Sequence, residues 1–462
     1  MRFLFLITLV AAATLSAADL DARLDRVFDG APKGAIASVA IMDVETGTWL
    51  YRHEADRLAA LASTTKALVA AAALIALPPD FQFRTRIYGL GPVRDGGVLP
   101  GLGVIGGGDP CLDGHFSDDE PDRFFIAWAE QLVAQGITRI EGDIVIDGRL
   151  FSGPIIPSTY PQDPENLSRW YSAPASAFAW NDNCIEVKVV PTRSGSPCDI
   201  QVRPRSSRIT VLNQTRSVGG KGDNRIVVSR AVDGNVVTVS GTYSVATDWF
   251  ALAIQSDPLL LAGDHLKAIL HDHGVHVAAG AQVRVGPIKP VGKPLIDEGH
   301  PLLPALTLMN QRSQNFYGEQ ILRVLGFIGR GEGSIDAGSK AVIAALRTEM
   351  GPIADAIAIH DGSGLSYDNQ ASAEAMVTML KVMAKPAYRD RFYSTLKERD
   401  LGSVPGRVKT GTLAIATCLV GYIDPPKSNR LAFAILLNRG TARNLDWAPK
   451  MRDQAYRIMA GQ

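Results

Sequence analysis

Strand-forming segments stand at both ends of this chain, and that arrangement restricts the fold more than any other feature of the sequence. Near the start, residues 35–42 and 48–51 are β-rich and joined through Glu45-Thr46-Gly47, the pattern of a hairpin. Near the other end, residues 407–413, 418–423 and 431–437 read as three more strands, followed by a helix over about 447–459. If these segments share one sheet, everything between them must leave it and return, as a helical lobe or as an insertion.

The intervening sequence supplies both. Residues 63–77 are rich in Ala and Leu and stop at Pro78-Pro79, so they predict a helix, as do 305–324, 337–350 and 373–383. From about 83 to 287 the texture changes to short β segments with turn residues, containing one clear helix over 121–135. At 462 residues the chain exceeds one ordinary core, and two or three domains are expected. The predicted class is α/β of the α+β kind. A discontinuous domain of residues 19–84 and 285–462 carries one or two inserted β-rich domains over 85–284.

Residues 1–18 read as an export signal: Arg2, an apolar run over 3–13 broken only by Thr8, then Ser16-Ala17-Ala18 with cleavage after Ala18. The run is too short to span a bilayer comfortably. The mature chain is expected outside the cytoplasm, in the periplasm. Forty-seven basic residues balance 47 acidic ones, so no net field draws the molecule to nucleic acid. Four cysteines are too few for a disulfide scaffold, although Cys184 and Cys198 flank an extended run and could pair in an oxidising compartment.

Three short motifs carry chemistry. Ser63-Thr64-Thr65-Lys66 opens the alanine-rich helix, and a spacing of three puts Ser63 and Lys66 on one face, where Lys66 can take the serine proton. A lysine in the first helical turn faces the positive end of the helix dipole, which favours its neutral form. Ser313-Gln314-Asn315 lies within a helical stretch that such residues would weaken. Lys409-Thr410-Gly411-Thr412 sits on a predicted strand, where Gly411 permits close approach of another backbone. Each motif alone is common; Ser394-Thr395-Leu396-Lys397 repeats the first within a charged segment.

In this order, on helix, helical region and strand, the three motifs resemble those of the penicillin-recognising serine enzymes. The long insertion between Ser63 and Ser313 narrows the resemblance to the class C low-molecular-mass penicillin-binding proteins, the D-alanyl-D-alanine carboxypeptidase/endopeptidase family. Gly107-Gly108-Asp109-Pro110, the stretch from Ser172 to Ala177, and Asp361-Gly362-Ser363-Gly364-Leu365-Ser366 are similar as well. The resemblance implies a transpeptidase-like fold with an antiparallel five-stranded sheet and a helical lobe. It also implies that Ser63 attacks the carbonyl between two D-alanines and Lys66 is its general base. Ser313 would pass the proton to the leaving amine, and Asn315 would hold the substrate peptide and Lys66. Lys409 and Thr410 would bind the terminal carboxylate, with Gly411 and Thr412 lining the same strand, and the backbone N–H groups of Ser63 and Thr412 would form the oxyanion hole. The implied substrates are peptidoglycan peptides, the implied covalent inhibitors β-lactams, and no metal or cofactor is called for. Tyr367, where many members carry arginine, and Ala414, where a larger polar residue is common, depart from the pattern and leave the preferred stem peptide open.

Other patterns carry less. Gly101 to Gly106 matches G-x-G-x-x-G, but Gly107-Gly108-Asp109-Pro110 cannot open the helix a pyrophosphate needs. His271, His273 and His276 fit a solvated helix end as well as a metal. The aromatic residues between Trp170 and Trp180 suit packing. Two rival functions share the motifs. A β-lactamase or esterase needs rapid deacylation, for which the segment from Pro164 to Ser168 only loosely resembles the required glutamate loop. A non-catalytic wall-binding protein would show degenerate motifs, and here all three are complete.

Overall fold

The computed structural model describes residues 17–160, 162–220, 224–230, 234–400, 404–426 and 428–461. The expected export signal, all but its last two residues, lies outside the described residues. Among the described residues, no helix is long and apolar enough to cross a membrane.

The two chain ends do build one sheet. Its strands run in the order Trp49–His53, Ile36–Asp43, Leu431–Asn438, Ala416–Ile423, Pro405–Leu413 and Lys397–Asp400, each antiparallel to its neighbours. The first and last long strands pair directly, Ile36 opposite Asn438 and Asp43 opposite Leu431. The sheet has six strands, not the expected five. The extra one, Lys397–Asp400, is entirely charged and closes an edge, where charge discourages pairing with another chain and hides the strand pattern. This also disposes of the second S-x-x-K, because Ser394 lies in the last turn of the helix Arg389–Thr395 while Lys397 starts that strand.

All eight residues of both Ala416–Ile423 and Leu431–Asn438 are buried, so both faces of the sheet are covered. Alternation sorts the side chains. Phe433, Ile435 and Leu437 pack with the terminal helices Ala17–Phe28 and Ala448–Met459. Ala432, Ala434 and Leu436 face the helices Ala373–Met383 and Thr65–Ala76, whose approach the small alanines allow. The helix Thr65–Ala76 is apolar on every side and buried over ten residues, which only the centre of a domain can accommodate. The stretch read as one helix over 305–324 is two, Leu302–Gln311 and Asn315–Arg330, broken at the S-Q-N motif.

The strands Gln82–Gly89 and Ile296–Pro301, far apart in sequence, pair antiparallel, Ile87 opposite Ile296. They belong to a five-stranded sheet whose core includes residues from the helices Arg123–Ala134 and Pro258–Asp272. Pro258–Asp272 was not expected from sequence, where this region shows one clear helix. Gly263 weakens its helical signal, yet is needed because a Cβ there would lie 2.6 Å from Val283 Cγ1. The G-x-G-x-x-G segment is the strand Leu102–Ile105 followed by extended chain, with Gly107 pressed against the Arg84 backbone, so it offers no helix N-terminus.

Cys184 and Cys198 do not pair; all four cysteines are free and buried. Strand Cys184–Val190 runs antiparallel to Asp199–Arg203, with Asp199 opposite Val190. Cys198 therefore sits beside the far end of the strand that Cys184 begins, about 20 Å away at 3.3 Å per residue, well beyond disulfide reach.

Candidate active site

Ser63 lies in a 3-10 turn, Ala62–Thr64, that leads into the helix Thr65–Ala76. Ala62 is held at φ 48°, a left-handed conformation that a residue with a Cβ adopts only under constraint. Lys66, one turn on, is fully buried. Its Nζ reaches Ser63 Oγ at 3.1 Å, donates to Asn315 Oδ1 at 2.7 Å, and donates to the Ser363 carbonyl. Burial lowers its pKa to about 7, although Asp361 and then Glu319 pull the other way.

The helix break delivers the second motif. Ser313 is left-handed at φ 59°, and Asn315 is the first residue of the following helix. Asn315 Oδ1 faces Lys66 while its Nδ2 donates to the Tyr171 carbonyl at 2.8 Å, which fixes the amide's orientation. Lys409 Nζ donates to Ser313 Oγ at 2.9 Å and to the Thr410 carbonyl at 2.8 Å. Burial, then the charges of Lys66 and Lys397, push the Lys409 pKa well down. Gly411 is where strand and turn touch: a Cβ would lie 2.7 Å from the Leu61 carbonyl and 3.1 Å from Ser63 N. Ser63, Lys66 and Asn315 are thus joined by hydrogen bonds, and Ser313 joins Lys409, with residues 313–315 linking the two groups. Thr410 is half-buried; Thr412 and Ala414 are exposed at the strand end, as is Tyr367.

Sequence reasoning assigned no role to the loop Asp361–Ser366, although its D-G-S-G-L-S pattern was the available signal. The Asp361 carboxylate accepts from Ser363 Oγ, Gly364 N, Ser366 N and Asn369 Nδ2. The adjoining helix adds Glu319, one turn after Asn315, whose Oε1 accepts from Gly362 N at 3.0 Å, Ser363 N at 2.9 Å and Tyr160 OH at 2.9 Å. Gly318 and Gly362 make this contact possible, since a Cβ on either would lie 2.4 Å or less from the other's carbonyl oxygen.

From the S-Q-N motif a cleft of about 1160 Å³ opens toward the inserted region, lined by Gln314, Tyr171, Trp170, Trp249, His115 and Asp182. Glu165 on its rim pairs with Arg169 and is largely exposed. Among the described residues, one group brings three metal-type donors within 4.8 Å of one another: Asp113, His115 and Asp182, rather than the histidines near 271. Protein engages part of it, Tyr317 OH donating to Asp113 and Gln314 Nε2 to Asp182 Oδ2, while Asp182 Oδ1 is buried without a hydrogen-bond partner.

A family model described as the D-Ala-D-Ala carboxypeptidase 3 (S13) family matches residues 18–458. A D-alanyl-D-alanine carboxypeptidase of Actinomadura sp. (strain R39) is 27% identical over 447 residues, covering 91% of this chain and 80% of that protein. The D-alanyl-D-alanine carboxypeptidase DacB of Haemophilus influenzae is 24% identical over 455 residues, covering 94% of this chain and 90% of that protein. Penicillin binding protein 4 (dacB) from Haemophilus influenzae matches in structure with a TM-score of 0.76 at 21% identity, covering 95% of this chain and 99% of that chain. A second structure of it, complexed with a β-lactam, gives 0.72 at 21% identity, covering 94% and 98%. The fold is that of a penicillin-binding protein.

Proposed function

The chain belongs to the D-Ala-D-Ala carboxypeptidase 3 (S13) family, and from that premise we propose that it cleaves peptidoglycan stem peptides through an acyl-enzyme on Ser63. One observation carries the assignment of Ser63: the set of partners around Lys66 Nζ. A neutral amine has two N–H donors and one lone pair. Asn315 Oδ1 and the Ser363 carbonyl can only accept, so they take the two N–H groups. The lone pair is left for the Ser63 hydroxyl, 3.1 Å away.

Ser63 Oγ then attacks the carbonyl between the two D-alanines as its proton passes to Lys66. The N–H groups of Ser63 and Thr412 receive the oxyanion; the close approach at Gly411 supports this pairing. Ser313 conveys a proton to the leaving D-alanine amine, and Lys409 with Thr410 binds its carboxylate. Water hydrolyses the acyl-enzyme. Substrate carboxylate is what makes a buried Lys409 ammonium favourable. A β-lactam enters the same path and stalls as a covalent adduct. Glu165, exposed and paired with Arg169, is poorly placed to speed deacylation, which argues against a β-lactamase. Cross-linked peptides present the same D-alanyl carbonyl joined to an amine of another stem, so endopeptidase action belongs to the same acyl-transfer chemistry. Wall substrates are met outside the cytoplasm, which supports a periplasmic enzyme, in keeping with the export signal expected at residues 1–18.

Intact-mass analysis after incubation with penicillin tests the assignment. One adduct per chain is expected, and none for Ser63→Ala; an adduct that survives Ser63→Ala would overturn it. Digestion of wall fragments measures D-alanine release against splitting of cross-linked dimers.

A further inference from the structure

Glu319 is a buried carboxyl that the acyl-transfer chemistry above does not use. It is 1% exposed, on the helix face that also carries Asn315. Its two oxygens are used unequally. Oε1 accepts the three hydrogen bonds from Gly362 N, Ser363 N and Tyr160 OH, whereas Oε2 has no partner. A buried carboxyl oxygen without a donor is costly and calls for a reason. Arg323, one turn further along, does not supply one through a hydrogen bond: its guanidinium donates to the carbonyls of Ser152 and Pro154.

Two of the three donors to Oε1 are amides of the loop whose next carbonyl receives Lys66, so Glu319 holds that loop. Gly362 and Ser363 give their amides to Glu319, and the Ser363 carbonyl then accepts from Lys66 Nζ. Asp361 braces the loop from its other side through Gly364 N and Ser366 N.

We propose that Glu319 is a positioning residue for acylation: it aims the Ser363 carbonyl at Lys66, and its charge governs how readily Lys66 releases its proton. This rests on Lys66 being the base for Ser63. The groups facing Glu319 are Asp361 from the loop, Arg323 from its own helix, Tyr160 from the inserted region and Lys66 from the nucleophile helix. Burial, then Asp361, raises the Glu319 pKa, against the weaker pull of Arg323. Its charge therefore varies near neutrality, where Lys66 also titrates.

Glu319→Gln separates the two roles. The amide oxygen still accepts from Gly362, Ser363 and Tyr160, but the charge is gone. A negative neighbour raises a lysine pKa, so its loss lowers that of Lys66 and moves the acid limb of the penicillin-acylation profile down by about one pH unit. Around pH 7, where wild-type Glu319 is partly charged, the variant acylates faster than wild type; well below that pH, where Glu319 is protonated, the two converge. Above pH 8 its plateau is a few-fold lower, because the weaker base is less effective. A purely structural role, which the amide oxygen preserves, would leave both the rate and the limb in place. Tyr160→Phe removes one donor to the carboxylate, reduces the charge held at a given pH, and shifts the limb the same way by less. Should Glu319→Gln fail to fold, Tyr160→Phe carries the test. Limbs that superimpose on a wild type that does acylate would overturn the role of Glu319 alone; a wild type that forms no adduct would overturn it together with the assignment of Ser63.

Discussion

Gly364→Ala tests whether the Asp361–Ser366 loop holds the nucleophile turn in place. Gly364 sits at φ 84°, and a Cβ there would lie 2.0 Å from the Ala62 carbonyl oxygen and 3.0 Å from Ser63 N. A carbon–oxygen contact relaxes at about 3.3 Å, so something must yield by more than an ångström. The backbone that yields is already strained at Ala62 and carries the Ser63 N–H. Left-handed backbone costs an alanine about 1–2 kcal/mol, and overpacking adds about 1–3 kcal/mol. Together they predict a loss of about 2–5 kcal/mol and a Tm lower by several degrees. A displacement of this size near the reacting atoms predicts a roughly hundredfold fall in the second-order rate of penicillin acylation. Gly331→Ala is the control: Gly331 lies at φ 75° with nothing within 4 Å of the added carbon, so it carries the backbone strain without the contact. Stopped-flow acylation and thermal melts on both variants decide. If Gly364→Ala acylates at the wild-type rate and melts like Gly331→Ala, the loop does not set the position of Ser63.

Three further outcomes are expected. Because Lys66 must be neutral to act and its pKa lies at about 7, acylation rises with pH about a midpoint near 7, and Lys66→Arg, which stays protonated, loses at least about a thousandfold; a midpoint near 10 would refute this. Since burial pushes the Lys409 pKa down and a bound carboxylate pushes it back up, binding of a D-Ala-D-Ala ligand to Ser63→Ala is accompanied by proton uptake that grows with pH, measurable by calorimetry in buffers of different ionisation enthalpy. All four cysteines are free and buried, so the denatured, unreduced protein titrates four thiols, while Cys418, its thiol pushed up to about 12, stays unreactive in the folded protein.

Much of the fold was legible in the sequence because it rests on local pattern. Strand texture at both ends and the alanine-rich helix stopped by Pro78 follow from periodicity and punctuation. Lys397–Asp400 was not legible, because an edge strand made of charges has no apolar alternation. Pro258–Asp272 was obscured by Gly263, a residue chosen for helix–strand contact against its own helical propensity. The pairing of Cys184 with Cys198 looked plausible from spacing alone; the hairpin register put Cys198 beside the far end of the strand that Cys184 begins.

The sequence by itself determined which residue types stand ready for acyl transfer: a serine with a lysine one helical turn on, a serine and an amide two apart, a lysine ahead of a glycine on a strand. It could do so because those spacings are local and their chemistry travels with them. Only the tertiary structure decided the state of Lys66, since burial and the facing Asn315, Ser363, Asp361 and Glu319 come from segments some 250 to 300 residues away. It also decided that the S-Q-N motif breaks a helix instead of lying within one, with Ser313 turned left-handed against Lys409. Proton affinity and backbone strain depend on what surrounds a group, and contacts between distant segments exist only once the chain has folded.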